Sequence, residues 1–245
     1  MISVVVPNLN EEKHLPQFLE SLNQQTCSYF QLIVVDGGST DESSRILMQF
    51  QNRFPMTIHV DGTRNIGYIR NLGSKLAAGD ILLHTNSDCY LPSTLLEDIS
   101  RIYDRDPSLV SLCGRTRPLN CSTFCSLSYI SYDFLRWFFT RLRRFRPGGS
   151  FFSIRVQQFW ELGGFPEVGI NEDGHLGRLI DRQNWKCVFN TQLWIGHSPA
   201  KRWKDSGLRG FSHYTYVFGN FLNLRVFQSL EEHAAHRFQQ KRELT

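Results

Sequence analysis

The chain alternates short β-branched runs with stretches of helical periodicity, and that alternation restricts it to a wound α/β sheet. Ile2-Ser3-Val4-Val5-Val6-Pro7 is almost continuously apolar and predicts a strand buried on both faces. The runs 32–35, 57–60, 81–85 and 109–113 repeat the pattern. Between the first two runs, Leu15, Phe18, Leu19 and Leu22 follow at helical spacing. Residues 66–78 read as a helix stopped by Gly79, and Pro92 opens another that runs to about residue 105. Asn10 reads as a helix cap with Glu11 and Glu12 in the first turn, and Ser39 or Thr40 caps the next helix. Strands spaced by helices predict βαβ units and a mostly parallel sheet, in which ligands bind beyond the carboxyl ends of the strands.

After about residue 120 the pattern changes. Residues 124–146 are rich in aromatics and arginine, Pro147-Gly148-Gly149-Ser150 breaks the run, and 151–154 predict a strand. A short helix through Trp160, a helix over 172–182 and a strand over 185–189 follow. A chain of 245 residues suits one large α/β domain, or one domain with a small appendage. We divide it into a first half, 1–118, and an acceptor-side half, 119–245, with a helical tail. A net charge of +4 is too mild to imply a nucleic-acid partner. The cysteines show no Cys-x-x-Cys pair and predict free thiols of a reducing cytoplasm. The N-terminus runs straight into a strand, which predicts no signal peptide. No stretch reaches the roughly 18 apolar residues of a spanning helix.

Polar punctuation falls where such a sheet binds ligands. Asn86-Ser87-Asp88 follows the strand run 81–85, and Asp88 is the first candidate for a divalent metal. Asn86 stands where a second acid would complete a two-carboxylate motif; its amide oxygen binds a metal more weakly, or binds a sugar. The other meaning of Asn-Ser-Asp is a turn before Pro92. Asp36 precedes Gly37-Gly38 and suits a nucleobase N–H, or a turn. Arg70 lies early in a helix aimed at the sheet edge and suits a phosphate, or solvent. Glu172 and Asp173 open a helix; Asp173 is the candidate base for an acceptor hydroxyl, against simple N-terminal charge complementarity. His197 is a further metal candidate, against a structural histidine.

These stretches resemble the family-2 glycosyltransferases of the GT-A fold. The resemblance rests on Val4-Val5-Val6-Pro7-Asn8-Leu9-Asn10-Glu11-Glu12, Val34-Val35-Asp36-Gly37-Gly38-Ser39-Thr40-Asp41, Gly79-Asp80-Ile81-Leu82-Leu83 through Asn86-Ser87-Asp88, and Gly163-Gly164-Phe165 through Asn171-Glu172-Asp173. It implies a Rossmann-like central sheet, a nucleotide-diphosphate sugar donor, a Mg²⁺ or Mn²⁺ ion and inversion at the anomeric carbon. It also implies that Pro7, Asn10 and Glu11 line the nucleoside pocket with Asp36 on the base. Arg70, Asn86 and Ser87 complete the donor side, Asp88 and His197 hold the metal, and Asp173 is the base beside Glu172. A UDP-sugar is favoured and a GDP-sugar is the alternative. Asn86 departs from the family's usual Asp. Lys201-Arg202-Trp203 only faintly echoes the processive motif, so transfer of a single sugar is expected.

On a helix, Phe124, Leu127, Ile130, Phe134, Phe138, Leu142 and Phe145 share one broad face, flanked by Trp137, Arg136, Arg141, Arg143, Arg144 and Arg146. Such a helix lies in an anionic membrane interface, or packs on the sheet with its arginines in solvent. The first case predicts a cytoplasmic protein peripheral to the inner face of the membrane, with a glycan or lipid-linked acceptor. Two other readings stand beside glycosyl transfer. One is a nucleotidyltransferase, for which the chain lacks a Gly-rich basic loop after the first strand. The other is an inactive nucleotide-sugar-binding relative, which only Asn86 favours.

Overall fold

The computed structural model of the chain describes residues 1–168 and 171–199. The expected helical tail of the second half and the Lys201-Arg202-Trp203 echo lie outside the described residues.

The strands are β1 (Ile2–Asn8), β2 (Phe30–Asp36), β3 (Met56–Val60), β4 (Ile81–His84), β5 (Cys89–Tyr90), β6 (Leu109–Pro118), β7 (Phe152–Arg155) and β8 (Lys186–His197). The helices are α1 (Leu15–Asn23), α2 (Ser43–Phe50), α3 (Ile66–Lys75), α4 (Leu95–Arg105), α5 (Thr123–Arg141), α6 (Val156–Glu161) and α7 (Glu172–Asp181). The strands form one sheet in the order β3-β2-β1-β4-β7-β6-β8-β5. Parallel pairs join β1 to β2 and β4, β2 to β3, and β6 to β8, while β7 runs antiparallel to both β4 and β6. Six strands therefore share one direction, with β7 and the two-residue β5 against them. That is the mostly parallel α/β sheet expected. The reversal of β7 has a topological cause: α5 and the loop after it bring the chain back to the rim where β4 and β6 end.

The alternation within each strand shows why the sequence reads as continuously apolar. Val4, Val6, Leu32, Val34 and Leu83 pack with Leu15, Phe18, Leu22, Leu96 and Ile99 on one side of the sheet. Val5, Ile33, Val35 and Leu82 pack with Ile69, Phe159, Leu176 and Ile180 on the other. With helices on both faces there is no polar side to the central strands.

Several local expectations change. Asn10 caps no helix: it adopts a left-handed conformation at φ 53°, and α1 begins only at Leu15. Its Oδ1 accepts instead from the Thr40 amide at 2.8 Å, tying two rim loops together. Ser39 and Thr40 likewise precede α2, which starts at Ser43 without a side-chain cap. Helix α4 starts after Pro92, at Leu95. β5 was not expected, because two residues leave no periodicity to read. β8 runs past Phe189 to His197, with a bulge opposite Gly114 and Arg115 absorbing the extra residues.

His84 closes β4 fully buried, its ring among Phe152, Phe159 and Phe165, and neither ring nitrogen has a hydrogen-bond partner. Burial, and secondarily the nearby Arg70 charge, hold its pKa well below 6.5. The folded state therefore keeps a neutral ring while the unfolded chain takes up a proton below about pH 6.5. Stability from this site is complete above that pH and is lost as pH falls, by at most about 1.4 kcal/mol per pH unit. Urea denaturation at pH 7 and pH 5.5 should show a smaller acid loss for His84→Leu than for the native chain; equal losses would contradict the assignment.

Candidate active site

Strand direction decides where the polar residues meet. The carboxyl ends of β1, β2, β4, β6 and β8 and the amino end of β7 lie on one rim of the sheet. Asn8, Asp36, Asn86, Ser150 and His197 all fall there.

Asp36 ends β2 and is only 1% exposed. Its Oδ1 accepts from the Gly38 and Ser39 amides at 2.9 and 2.6 Å, and its Oδ2 from Asn8 Nδ2 and Ser39 Oγ at 2.6 and 2.8 Å. The carboxylate expected to contact a base is thus engaged by the loop that follows it, with the turn-forming geometry that was the other meaning of the motif. Pro7 O accepts from Ser87 Oγ at 3.3 Å, which stitches β1 to the loop after β4. Glu11 sits in the neighbouring turn, its Oε2 3.0 Å from His14 Nδ1 and its amide donating to Ser43 Oγ at 3.0 Å.

Arg70 is where the structure departs most from the sequence reading. It is neither solvated nor open to a phosphate, but 1% exposed. Its Nη2 donates to Asn86 Oδ1 and to the Gly149 carbonyl, both at 2.8 Å, and its Nε lies 3.5 Å from Glu172 Oε1. Asn86 also donates through Nδ2 to Ser150 Oγ at 3.3 Å. One guanidinium therefore joins the end of β4, the Gly148-Gly149-Ser150 turn and the start of α7. The next residue, Asn71, exchanges two 2.8 Å bonds with the backbone of Phe165 and fixes α3 to the same later part of the chain.

Asp173 opens α7, and its Oδ2 accepts from the Gly149 amide at 2.7 Å. Glu172, expected beside it in the catalytic pair, turns to Arg70 and is 7% exposed. The Gly-Gly turn was read only as a break, yet Gly148 has a steric reason and Gly149 faces the Arg70 cluster at ordinary contact distance. A Cβ on Gly148 would lie 2.9 Å from the guanidinium carbon of buried Arg136. A Cβ on Gly149 would sit among Arg70, Asp173 and Glu172, at 3.4 to 3.8 Å.

At the other side of the rim, the β5–β8 pairing sets Cys89 opposite His197 and so brings Asp88 beside that histidine. Asp88 Oδ2 lies 3.5 Å from His197 Nε2, and His197 Nδ1 is 2.7 Å from Tyr129 Oη of α5. Two ligands each about 2.1 Å from one ion can be at most about 4.2 Å apart, so this pair has the spacing to share one. A carboxylate oxygen and an imidazole nitrogen suit Mn²⁺, and the oxygen suits Mg²⁺. No third His, Cys, Asp or Glu among the described residues completes the set, so an octahedral ion would take its other ligands from water or phosphate oxygens. Asn86 points to Arg70 and not to this pair. Tyr129 and Gly149 escaped the sequence reading because their contacts depend on tertiary placement.

A buried ion pair that loses one partner leaves an uncompensated charge, a cost of about 3–5 kcal/mol. Arg70→Met should therefore destabilise strongly, and adding Glu172→Gln should recover part of the loss. A double-mutant cycle by chemical denaturation should give a coupling of at least about 1 kcal/mol; additive effects would contradict the pairing.

Comparison with known proteins agrees with this architecture. The sequence profile described as "Glycosyl transferase family 2" matches residues 3–163. A PGL/p-HBAD biosynthesis glycosyltransferase of Mycobacterium tuberculosis is 37% identical over 112 residues, covering 44% of this chain and 44% of the relative. The O-antigen chain rhamnosyltransferase RfbN of Salmonella typhimurium is 23% identical over 212 residues, covering 80% and 66%. An uncharacterized glycosyltransferase of Haemophilus influenzae is 32% identical over 111 residues, 44% of this chain and 36% of that protein. The matched part is thus less than half the length of two of these three relatives. Among solved structures, the mannosyltransferase PcManGT of Pyrobaculum calidifontis, in complex with GDP-Man and Mn²⁺, superposes with TM-score 0.68 at 19% identity, over 82% of this chain and 58% of that one. S. aureus TarS 1-349 in complex with UDP-GlcNAc gives 0.63 at 21% identity, over 80% and 58%. The fold is GT-A, and the chain belongs to glycosyl transferase family 2.

Proposed function

We propose that the chain moves one sugar from a nucleotide-diphosphate sugar to an acceptor hydroxyl or lipid phosphate, with inversion at the anomeric carbon. The observation that carries this is the common rim: the Asp88–His197 pair, and Asp173 held by the Gly149 amide, flank the Asn86–Arg70 bridge. The nucleoside lies along Pro7, Asn10 and Glu11 and the loop folded around Asp36. Asp36 serves the base through that loop, since its own oxygens are engaged. A UDP-sugar is the favoured donor and a GDP-sugar the alternative; similar folds have been solved with UDP-GlcNAc and with GDP-Man. Ser87 and Asn86 sit on the diphosphate and sugar side, and Arg70 positions Asn86 without touching phosphate.

The Asp88 and His197 side chains would hold Mn²⁺ or Mg²⁺, which neutralises charge developing on a departing diphosphate when bound. Tyr129 fixes the ring of His197 from behind, with Nε2 turned toward Asp88. Asp173 takes the acceptor's O–H proton. The acceptor oxygen then bonds to the anomeric carbon as the bond from that carbon to the diphosphate oxygen breaks, and the electron pair leaves on the diphosphate. Relatives named for PGL/p-HBAD biosynthesis and for an O-antigen chain support a glycan or lipid-linked acceptor. A peripheral contact with a membrane would bring such an acceptor within reach.

Asp173→Asn keeps the acceptor oxygen for Gly149 and loses the base. It should bind UDP and Mn²⁺ as the native chain does in thermal-shift assays, while release of nucleoside diphosphate from a turned-over donor falls at least about 100-fold. Near-native turnover would refute the role. Tyr129→Phe should weaken Mn²⁺ binding in the presence of UDP by about tenfold, read by electron paramagnetic resonance of free Mn²⁺; unchanged affinity would contradict the positioning of His197.

A further inference from the structure

Helix α5 packs on the sheet through one side only. From that side Tyr129 reaches His197, Asp133 accepts from the Thr116 amide at 2.9 Å, and fully buried Arg136 bonds the Gly114 and Arg146 carbonyls. The opposite side carries Leu127, Ile130, Phe134, Phe138 and Leu142, spaced three or four residues apart and between 43% and 63% exposed. Side chains at that spacing form a continuous stripe along a helix. The rings of Phe134 and Phe138 lie against each other at 6.3 Å between centroids, in contact with solvent.

The charge at the end of this stripe is one-sided. Arg141, Arg143 and Arg144 are exposed where the helix stops, and none is paired with a carboxylate among the described residues. The only acid of α5 is Asp133, which is buried beside Arg136. Arg146 and Arg136, expected in the same basic cluster, are interior: Arg146 meets Asp181 at 2.5 Å. Phe145 is also buried, and the side chain of Phe124 lies outside those described. The exposed surface is thus narrower than the sequence implied and more consistent in chemistry: five apolar side chains, three cations and no anion.

We propose that this face of α5 seats the protein on an anionic lipid surface, with the stripe in the acyl boundary and Arg141, Arg143 and Arg144 among the headgroups. An exposed apolar stripe of this length is uncommon on a protein that meets only water. The uncompensated cations match the headgroups of an anionic bilayer, whereas the same stripe on a second copy carries no anion to pair with them. No described helix is long and apolar enough to cross a membrane, so the contact is interfacial. A helix is about 10 Å across, so docking sets the inner face of α5, and Tyr129 with it, about one helix diameter from the lipid. An acceptor with its reacting group just above the headgroups would meet the rim there. The proposal deepens the reading of a lipid-linked acceptor and rests on it only for that last step.

The test is sedimentation of the full chain with vesicles, without donor, using pure phosphatidylcholine and phosphatidylcholine with about one third phosphatidylglycerol. The native chain should sediment with the anionic vesicles alone. Phe134→Ser/Phe138→Ser should abolish most binding, and Arg141→Gln/Arg143→Gln/Arg144→Gln should weaken it on the order of a hundredfold, from about 1 kcal/mol per arginine. Both variants should keep the native thermal shift with UDP and Mn²⁺, which separates failure of lipid binding from failure of the donor site or of folding. Absence of binding by the native chain overturns the proposal, as would happen if another part of the protein covered the stripe. So does equal binding by the variants, or a stripe-dependent dimer in sedimentation equilibrium in place of lipid binding.

Discussion

A single buried guanidinium holds the candidate site together. Arg70 reaches from α3 to Asn86 after β4, to the carbonyl of Gly149 before β7, and to Glu172 at the head of α7. These segments are far apart in sequence and come from both halves of the chain. Burying such a charge is costly unless it is paired and hydrogen-bonded, so the fold is constrained to bring all three partners to it. Once they are there, the Gly149 amide is aligned for Asp173 and the Asn86 amide is turned away from the Asp88–His197 pair. On the proposed reading, Asp173 and the Asp88–His197 pair then serve one site from its two sides.

The sheet makes this convergence cheap. Parallel strands end on one rim, and the single reversed strand inside it, β7, begins there. The turn 147–150 is delivered to Arg70 and the loop after β4 without a long excursion. The second sheet edge contributes in the same way, because two residues of β5 against the end of β8 are enough to set Asp88 next to His197. α5 then lies across β6 and β8 with one face committed to the site and the other left apolar toward the outside.

Much of the fold was legible in the sequence, because period-two burial on both faces leaves strands that are apolar throughout, as in Val4-Val5-Val6 and Leu32-Ile33-Val34-Val35. The rim positions of Asp36 and Asp88 followed from where those runs stop, whereas that of Asp173, at the start of a helix, did not. What could not be read was partner choice. A lone arginine early in a helix looks the same whether it meets a phosphate or Glu172, and an aspartate before Gly-Gly looks the same whether it meets a base or its own loop. Tyr129 carries no motif at all; it is one aromatic among many on a helix, and only the crossing of α5 over β8 gives it His197. Arg136 and Arg146 read as surface cations because charge patterns do not show which residues a turn folds inward.

The account stands or falls on one cation position. Crystals of the full chain grown with UDP and Mn²⁺ would give an anomalous difference map of the metal. The account predicts a peak about 2.1 Å from Asp88 and His197, with the diphosphate on the remaining coordination positions and Asp173 across the same cleft. A nucleotide bound at the rim with the metal elsewhere, or with Asp173 facing a separate surface, would contradict it.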